Sequence, residues 1–149
     1  QAMAQDAFVT HQTITPELAQ TMATAAMENC RDQGAQVGVT VVDRFGIPQA
    51  YIRDRFAGLH AYETSRRKAW TAVSFRSSTQ DLAIATQAGE DAFGIRFLNE
   101  ALPLGGGLVV YSGDGSIVAG IGVSGAPSPS MDEICAQAGI DAIEEDIAF

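Results

Sequence analysis

Cysteine and histidine are scarce in this chain, with two of each in 149 residues. Cys30 and Cys135 fit neither a CxxC redox pair nor a zinc-ligand spacing, and His11 and His60 are too few to complete a structural zinc site with them. No CxxCH is present, which excludes the usual covalent attachment of c-type haem. Positive charge is scarce too. Nine Lys and Arg stand against eighteen Asp and Glu, for a formal charge of −9. A nucleic-acid groove needs a basic surface to meet phosphate, so no nucleic acid is expected as a partner. An anionic lipid surface is repelled for the same reason. No apolar run approaches the roughly 18 residues needed to cross a bilayer, so no membrane insertion is expected. A small ligand or a protein partner remains.

Apolar residues make up 46% of the chain and charged residues 18%, enough to build a core and too apolar for disorder. The length fits one domain, read as an N-terminal extension over 1–13 and a folded domain over 14–149. Thr15-Pro16-Glu17 marks a helix start, with a cap, a first-turn proline and an acid at the positive end of the dipole. Leu18, Met22, Ala25, Ala26 and Cys30 then share one face, and Gly34 terminates the helix. Val37 to Asp43 predicts a strand, Arg44-Phe45-Gly46 a turn, and Gln49 to Arg53 the returning strand. Ala61 to Phe75 predicts a second helix, with Tyr62, Ala69, Ala72 and Val73 inward. Ser78-Thr79-Gln80-Asp81 has capping-box form and opens a shorter helix ending near Gly89. Phe93, Ile95, Phe97 and Leu98 are compatible with a short strand. Leu108 to Tyr111 and Ile117 to Ser124 form a hairpin across Gly113-Asp114-Gly115. Ser130-Met131-Asp132-Glu133 reads as another capping box, with the last helix running to about Asp146.

Hairpin-paired strands between helices describe an antiparallel α+β sandwich. Gly120-Ile121-Gly122-Val123-Ser124-Gly125 contains a GxGxxG string, but it falls inside a hairpin strand, so a dinucleotide loop is excluded. Repeated glycine in a strand points instead to close approach by another backbone or a ligand. Ser124 lacks a nucleophile-elbow context. Asp43 and Asp114 sit in turns, where aspartate bonds its own backbone. Cys30 and Cys135 both fall on apolar helix stripes and read as small buried core residues; in an exported protein a bridge between the first and last helices is the alternative. Ala2-Met3-Ala4-Gln5 has the small-x-small form of a signal-peptide cleavage end, without the apolar region that precedes one. Export to the bacterial periplasm or outside the cell is the expectation, with the cytoplasm as alternative; a cloning scar gives the same pattern.

Three strings carry a resemblance. Val39-Thr40-Val41-Val42-Asp43-Arg44-Phe45-Gly46 resembles the first strand and Asp-x-x-Gly hairpin of the GlcG/HbpS family. Lys68-Ala69-Trp70-Thr71-Ala72 matches that family's Lys-Ala-x-Thr-Ala helix. Leu104-Gly105-Gly106-Gly107, Asp114-Gly115 and the Gly120–Gly125 string resemble its glycine-rich close. The likeness spans about Ile14 to Ile143. It implies an α-β-α layered sandwich with a five-stranded antiparallel sheet, profilin-like, assembled as a homo-oligomer and in some members an octamer. It implies haem or a related tetrapyrrole as the cofactor in some members, and fusion to corrinoid enzymes in others. The expected function is tetrapyrrole binding in a non-catalytic sensing, storage or accessory role. An oxidative haem-degrading enzyme and a ligand-free oligomeric accessory protein are the alternatives.

Haem iron is held by His, Met, Cys or Tyr beneath an apolar cover. His60, beside Leu59 and Tyr62, is the first choice as metal ligand, and Arg66 and Lys68 could meet the propionates. His11 is the second choice, with Tyr62 and Met131 behind it. Lys68 also reads as the partner of a carboxylate within the fold. The Gly105–Gly107 turn offers backbone N–H groups to a ligand carboxylate, or forms a tight hairpin entry. No catalytic residues are assigned.

Overall fold

Thr15 accepts the Leu18 N–H at 3.2 Å and Pro16 takes the first helical turn, so α1 runs Pro16–Asp32. The computed structural model describes residues 7–149, and the Ala2-Met3-Ala4-Gln5 pattern lies outside the described residues. Strands β1 (Gly38–Asp43) and β2 (Pro48–Arg53) follow. Their turn is built as expected: Asp43 Oδ1 accepts the Phe45 and Ile47 N–H groups at 2.8 and 3.1 Å, and Gly46 adopts a φ of 81°. Helix α2 spans Ala61–Phe75. Ser78 caps α3 (Thr79–Ala85) through the Asp81 N–H. Strands β3 (Gly107–Tyr111) and β4 (Ile117–Ser124) close the sheet, and α4 covers Pro129–Asp141.

All pairings are antiparallel and the order is β2-β1-β4-β3. The sheet therefore has four strands, not five. Asp91–Phe97, the candidate fifth, winds as a 3-10 helix. Turn-type bonds hold it, and the Arg96 guanidinium donates to the Thr86 and Ala83 carbonyls at 2.7 and 2.9 Å. Its Phe93 and Phe97 rings meet edge to face instead of entering a pleat. Two boundaries also shift. Ser128, not Ser130, caps α4 by accepting the Met131 N–H, with Pro129 in the first turn. After Asp141 the chain tightens, and Glu144–Ile147 is a separate 3-10 turn.

Strand alternation sorts the layers. Val39, Val41, Ala119, Ile121 and Val123 join the main core with Met22, Ala26 and Ala136 of α1 and α4. Thr40, Gly120, Gly122 and Ser124 face α2; Thr40 and Ser65 hydroxyls lie 2.7 Å apart, and Thr64 and Ser124 hydroxyls 2.5 Å. Cys30 and Cys135 are fully buried and bridged, with Cα atoms 5.6 Å apart, so α1 and α4 are covalently tied. No helix among the described residues is long and apolar enough to cross a membrane.

The glycines of β4 answer the question the sequence raised. A Cβ on Gly122 would strike the Ser65 carbonyl and approach the Ala69 nitrogen to 2.7 Å; one on Gly120 would lie 2.8 Å from the Ala69 carbonyl. The close neighbour is the α2 backbone itself. Because backbone cannot swing aside, Gly122→Ala is expected to cost about 3 kcal/mol or more, beyond ordinary overpacking. Urea unfolding of that variant checks it; a loss under about 1 kcal/mol would contradict so close an approach.

Candidate functional site

Lys68 points inward from α2. Its Nζ donates to the Val123 carbonyl at 2.9 Å and to Asp132 Oδ2 at 3.1 Å, and both side chains are nearly sealed from solvent. Asp132 Oδ1 in turn accepts the Ala126 N–H at 3.0 Å. Burial pushes the Lys68 ammonium below the usual lysine range and lifts the Asp132 carboxyl above the usual carboxylate range, with each partner's charge opposing the shift of the other. This pair joins α2, β4 and the start of α4. Of the two readings of Lys68, the structure builds the internal ion pair.

The Gly105–Gly107 turn is buried around the same pair. A Cβ on Gly106 would meet the Val123 carbonyl at 2.6 Å and Lys68 Nζ at 3.0 Å, while the Gly107 N–H is committed to Thr79 Oγ1 at 2.8 Å. Gly105 packs against Gln80 and Pro129. The exposed nest of N–H groups expected from sequence is absent here, because Lys68 and Thr79 fill the concavity.

His60 stands at the N-terminal boundary of α2, exposed and making no side-chain cap bond. Its ring lies over Gly58, where a Cβ would come within 2.7 Å of the imidazole. Leu59 and Phe56 beside it are 97% and 80% exposed, so apolar groups are nearby but form no wall. Tyr62 is half exposed, not inward, and meets Tyr51 edge to face at 4.7 Å. The Tyr51 hydroxyl is buried with no hydrogen-bond partner among the described residues, and burial lifts its pKa. Arg66 is held between Glu63 and Glu100 at 2.6 and 2.7 Å. Its charge is matched by carboxylates of the protein.

His11 sits elsewhere. The lead before α1 is laid along the end of the sheet: the Ile14 N–H donates to the Val118 carbonyl at 3.0 Å and Thr13 Oγ1 accepts the Arg44 N–H at 3.0 Å. The His11 ring then meets Phe45 edge to face at 4.8 Å. On one side it lines a groove of about 450 Å³ whose other walls include Leu18, Val118 and Ile147, with Ser112, Asp146 and the largely exposed Phe149 at its edge. The C-terminal turn forms that far wall, held by the Gly113 N–H on the Ile147 carbonyl at 2.8 Å. On the other side His11 lines a groove of about 420 Å³ with Arg44, Arg76, Tyr111 and Ser116. Asp114 at the nearby turn acts as expected, its carboxylate accepting from the Ser112 hydroxyl and the Ser116 N–H.

The grooves meet at His11 and Gln12. Together they bring an imidazole, apolar side chains and two arginines to one region of the surface, with Asp146 on the first groove. Sequence reasoning named His11 but missed Arg44, Arg76, Tyr111, Ile147 and Phe149, which only the fold brings to it. One local signal was present: Arg76 follows α2 where a glycine or asparagine would suit a left-handed cap. Among the described residues no group of three or more His, Cys, Asp or Glu gathers to hold a metal ion.

The corrinoid adenosyltransferase PduO of Salmonella typhimurium is 32% identical over 121 residues, which are 80% of this chain and 35% of that enzyme. This chain thus spans about a third of its length. The crystal structure of a double mutant of Streptomyces reticuli HbpS superposes with a TM-score of 0.86 at 36% identity, covering 96% of each chain. The structure of a PduOC–haem complex superposes at 0.81 with 29% identity, over 88% of this chain and 95% of that one. The model of the haem-degrading HbpS-like proteins matches residues 14–141, and the chain belongs to that family.

Proposed function

We propose that the protein binds haem or a closely related tetrapyrrole beside His11, holding it for sensing, storage or an accessory role without turnover. The observation that carries this reading is the surroundings of the two exposed histidines: His11 stands between two grooves whose linings include Leu18, Val118, Ile147, Arg44 and Arg76, whereas His60 has beside it only the exposed Leu59 and Phe56. The structural likeness to a protein solved with haem supports the ligand class. Haem would supply an iron centre; the chain would offer the His11 imidazole, apolar surface from Leu18, Val118 and Ile147, and the cations of the second groove. In this reading the residue that would hold the iron is His11 and not His60.

Export to an oxidising compartment belongs to the same proposal, supported by the Cys30–Cys135 bridge. So does assembly with further copies, supported by the exposed Phe93, Phe97 and Leu98.

Haem titration of the purified protein tests the reading. A Soret shift is expected for the wild type and for His60→Ala, while His11→Ala should weaken binding about tenfold or more. Absence of a shift in the wild type sinks the haem reading, and loss confined to His60→Ala returns the iron to His60. Adding oxygen and reductant to the complex should leave its spectrum intact; bleaching would favour the degrading enzyme.

A further inference from the structure

We infer that Arg44 and Arg76 form a carboxylate clamp on the His11 groove, so the ligand is a tetrapyrrole bearing free carboxylates and not an amidated corrinoid. The inference rests on the tetrapyrrole proposal and narrows it.

It begins with where the few cations go. Arg31 is bonded to Asp54, Arg66 to Glu63 and Glu100, and Lys68 to Asp132. Arg55 lies 3.9 Å from Asp54. Arg53, Arg67 and Arg96 donate to backbone carbonyls of neighbouring loops. Arg44 and Arg76 differ in sharing one concave surface. Arg44 fixes one guanidinium nitrogen on the Ile117 carbonyl at 2.7 Å, which orients it without neutralising it. Arg76 enters none of the ion pairs among the described residues.

The groove they share contains no acid in its lining, although the chain has twice as many acids as bases. Asp114, the acid nearest in sequence to its Gly115–Ser116 rim, has its carboxylate committed to the turn. The lining therefore carries two cations and no acid, and the Asp114 carboxylate, still charged, is turned into its own hairpin. Tyr111, half exposed, and Ser116 add hydroxyls at its rim.

The backbone at Arg76 sets where that side chain leaves α2. Its φ of 55° and ψ of 45° are left-handed, and it is the one non-glycine residue with positive φ among the described residues. Glycine would take this cap with less strain. The left-handed cap thus carries a long cationic side chain next to a second arginine and a histidine. A guanidinium pairs well with a carboxylate in two parallel bonds and much less well with a neutral amide. The likeness to a protein solved with haem points to the same ligand class; the groove names the residues that would select it.

The test compares haem, haem dimethyl ester and cobinamide, each titrated spectroscopically against the wild type and Arg76→Gln. Haem should bind about tenfold more tightly than its ester, the scale of one charge-assisted bond in an open site. Arg76→Gln should close most of that gap by weakening haem and leaving the ester unchanged. The Arg76 side chain holds no element in place, and a thermal melt should match the wild type; Arg44→Gln repeats the measurement from the other arm. Equal affinity for haem and ester overturns the clamp while leaving haem binding intact. Cobinamide binding as tightly as haem overturns the selectivity. No Soret shift with either porphyrin overturns the underlying tetrapyrrole proposal instead.

Discussion

Alanine at Lys68 is expected to lower the unfolding free energy by about 3–5 kcal/mol, measured by urea titration near neutral pH. The loss comes less from the missing attraction than from what remains. Asp132 is 4% exposed, and with the ammonium gone its carboxylate keeps only the Ala126 N–H for company. Burial already lifts the Asp132 carboxyl toward its neutral form, so the variant should take up a proton there, and its deficit should shrink as the pH is lowered. A combined Lys68→Met and Asp132→Asn replacement removes both charges while keeping an oxygen for Ala126. It should recover most of the loss, because a buried pair exchanged for neutral groups of similar volume is often neutral in stability. If the single variant lost under about 1 kcal/mol, the pair would have to be open to water.

The second large effect attaches to the bridge. Cys30 and Cys135 are separated by 105 positions, and closing a loop of about that size restricts the unfolded chain by about 4–5 kcal/mol on a chain-entropy estimate. Replacing both cysteines by serine should lower Tm by about 10 °C or more. Both sulfurs are fully buried, so a mild reductant should leave the folded protein bridged and act only once it unfolds. A double-serine variant with unchanged Tm would show that α1–α4 packing alone sets the stability.

Helix starts were legible at Thr15-Pro16 and Ser78, where a capping residue precedes a proline or an acid at short range. Ser128-Pro129 carries the same signature, and the competing Ser130 reading failed because Pro129 already fixes the first turn. The alternating valines of β1 and the Asp43 turn were legible because their bonds are local. The expected fifth strand was not, because Phe93, Ile95, Phe97 and Leu98 alternate only in part and no strand edge receives them. Nor could the bridge be assigned: two cysteines on apolar stripes become neighbours only when two helices share a layer.

The site was less legible than the fold. His60 drew notice because Tyr62, Arg66 and Lys68 follow it in sequence, but a helix sends those side chains apart. Arg66 goes to acids, Lys68 to the interior and Tyr62 to Tyr51. His11, in contrast, gains its surroundings from the first turn, the end of α2, the second hairpin and the C-terminal segment. No local pattern marks a place assembled from four distant stretches.

The layer formed by α1 and α4 has a consequence for synthesis. Everything between Cys30 and Cys135 must emerge before the two helices can meet. At about 5–20 residues per second that interval lasts about 5–20 s. Met22, Ala26 and Met27, buried in the finished protein, have no α4 to cover them during that time. The nascent chain therefore leaves this apolar face uncovered for that interval, and the bridge can close only after nearly the whole domain has left the ribosome.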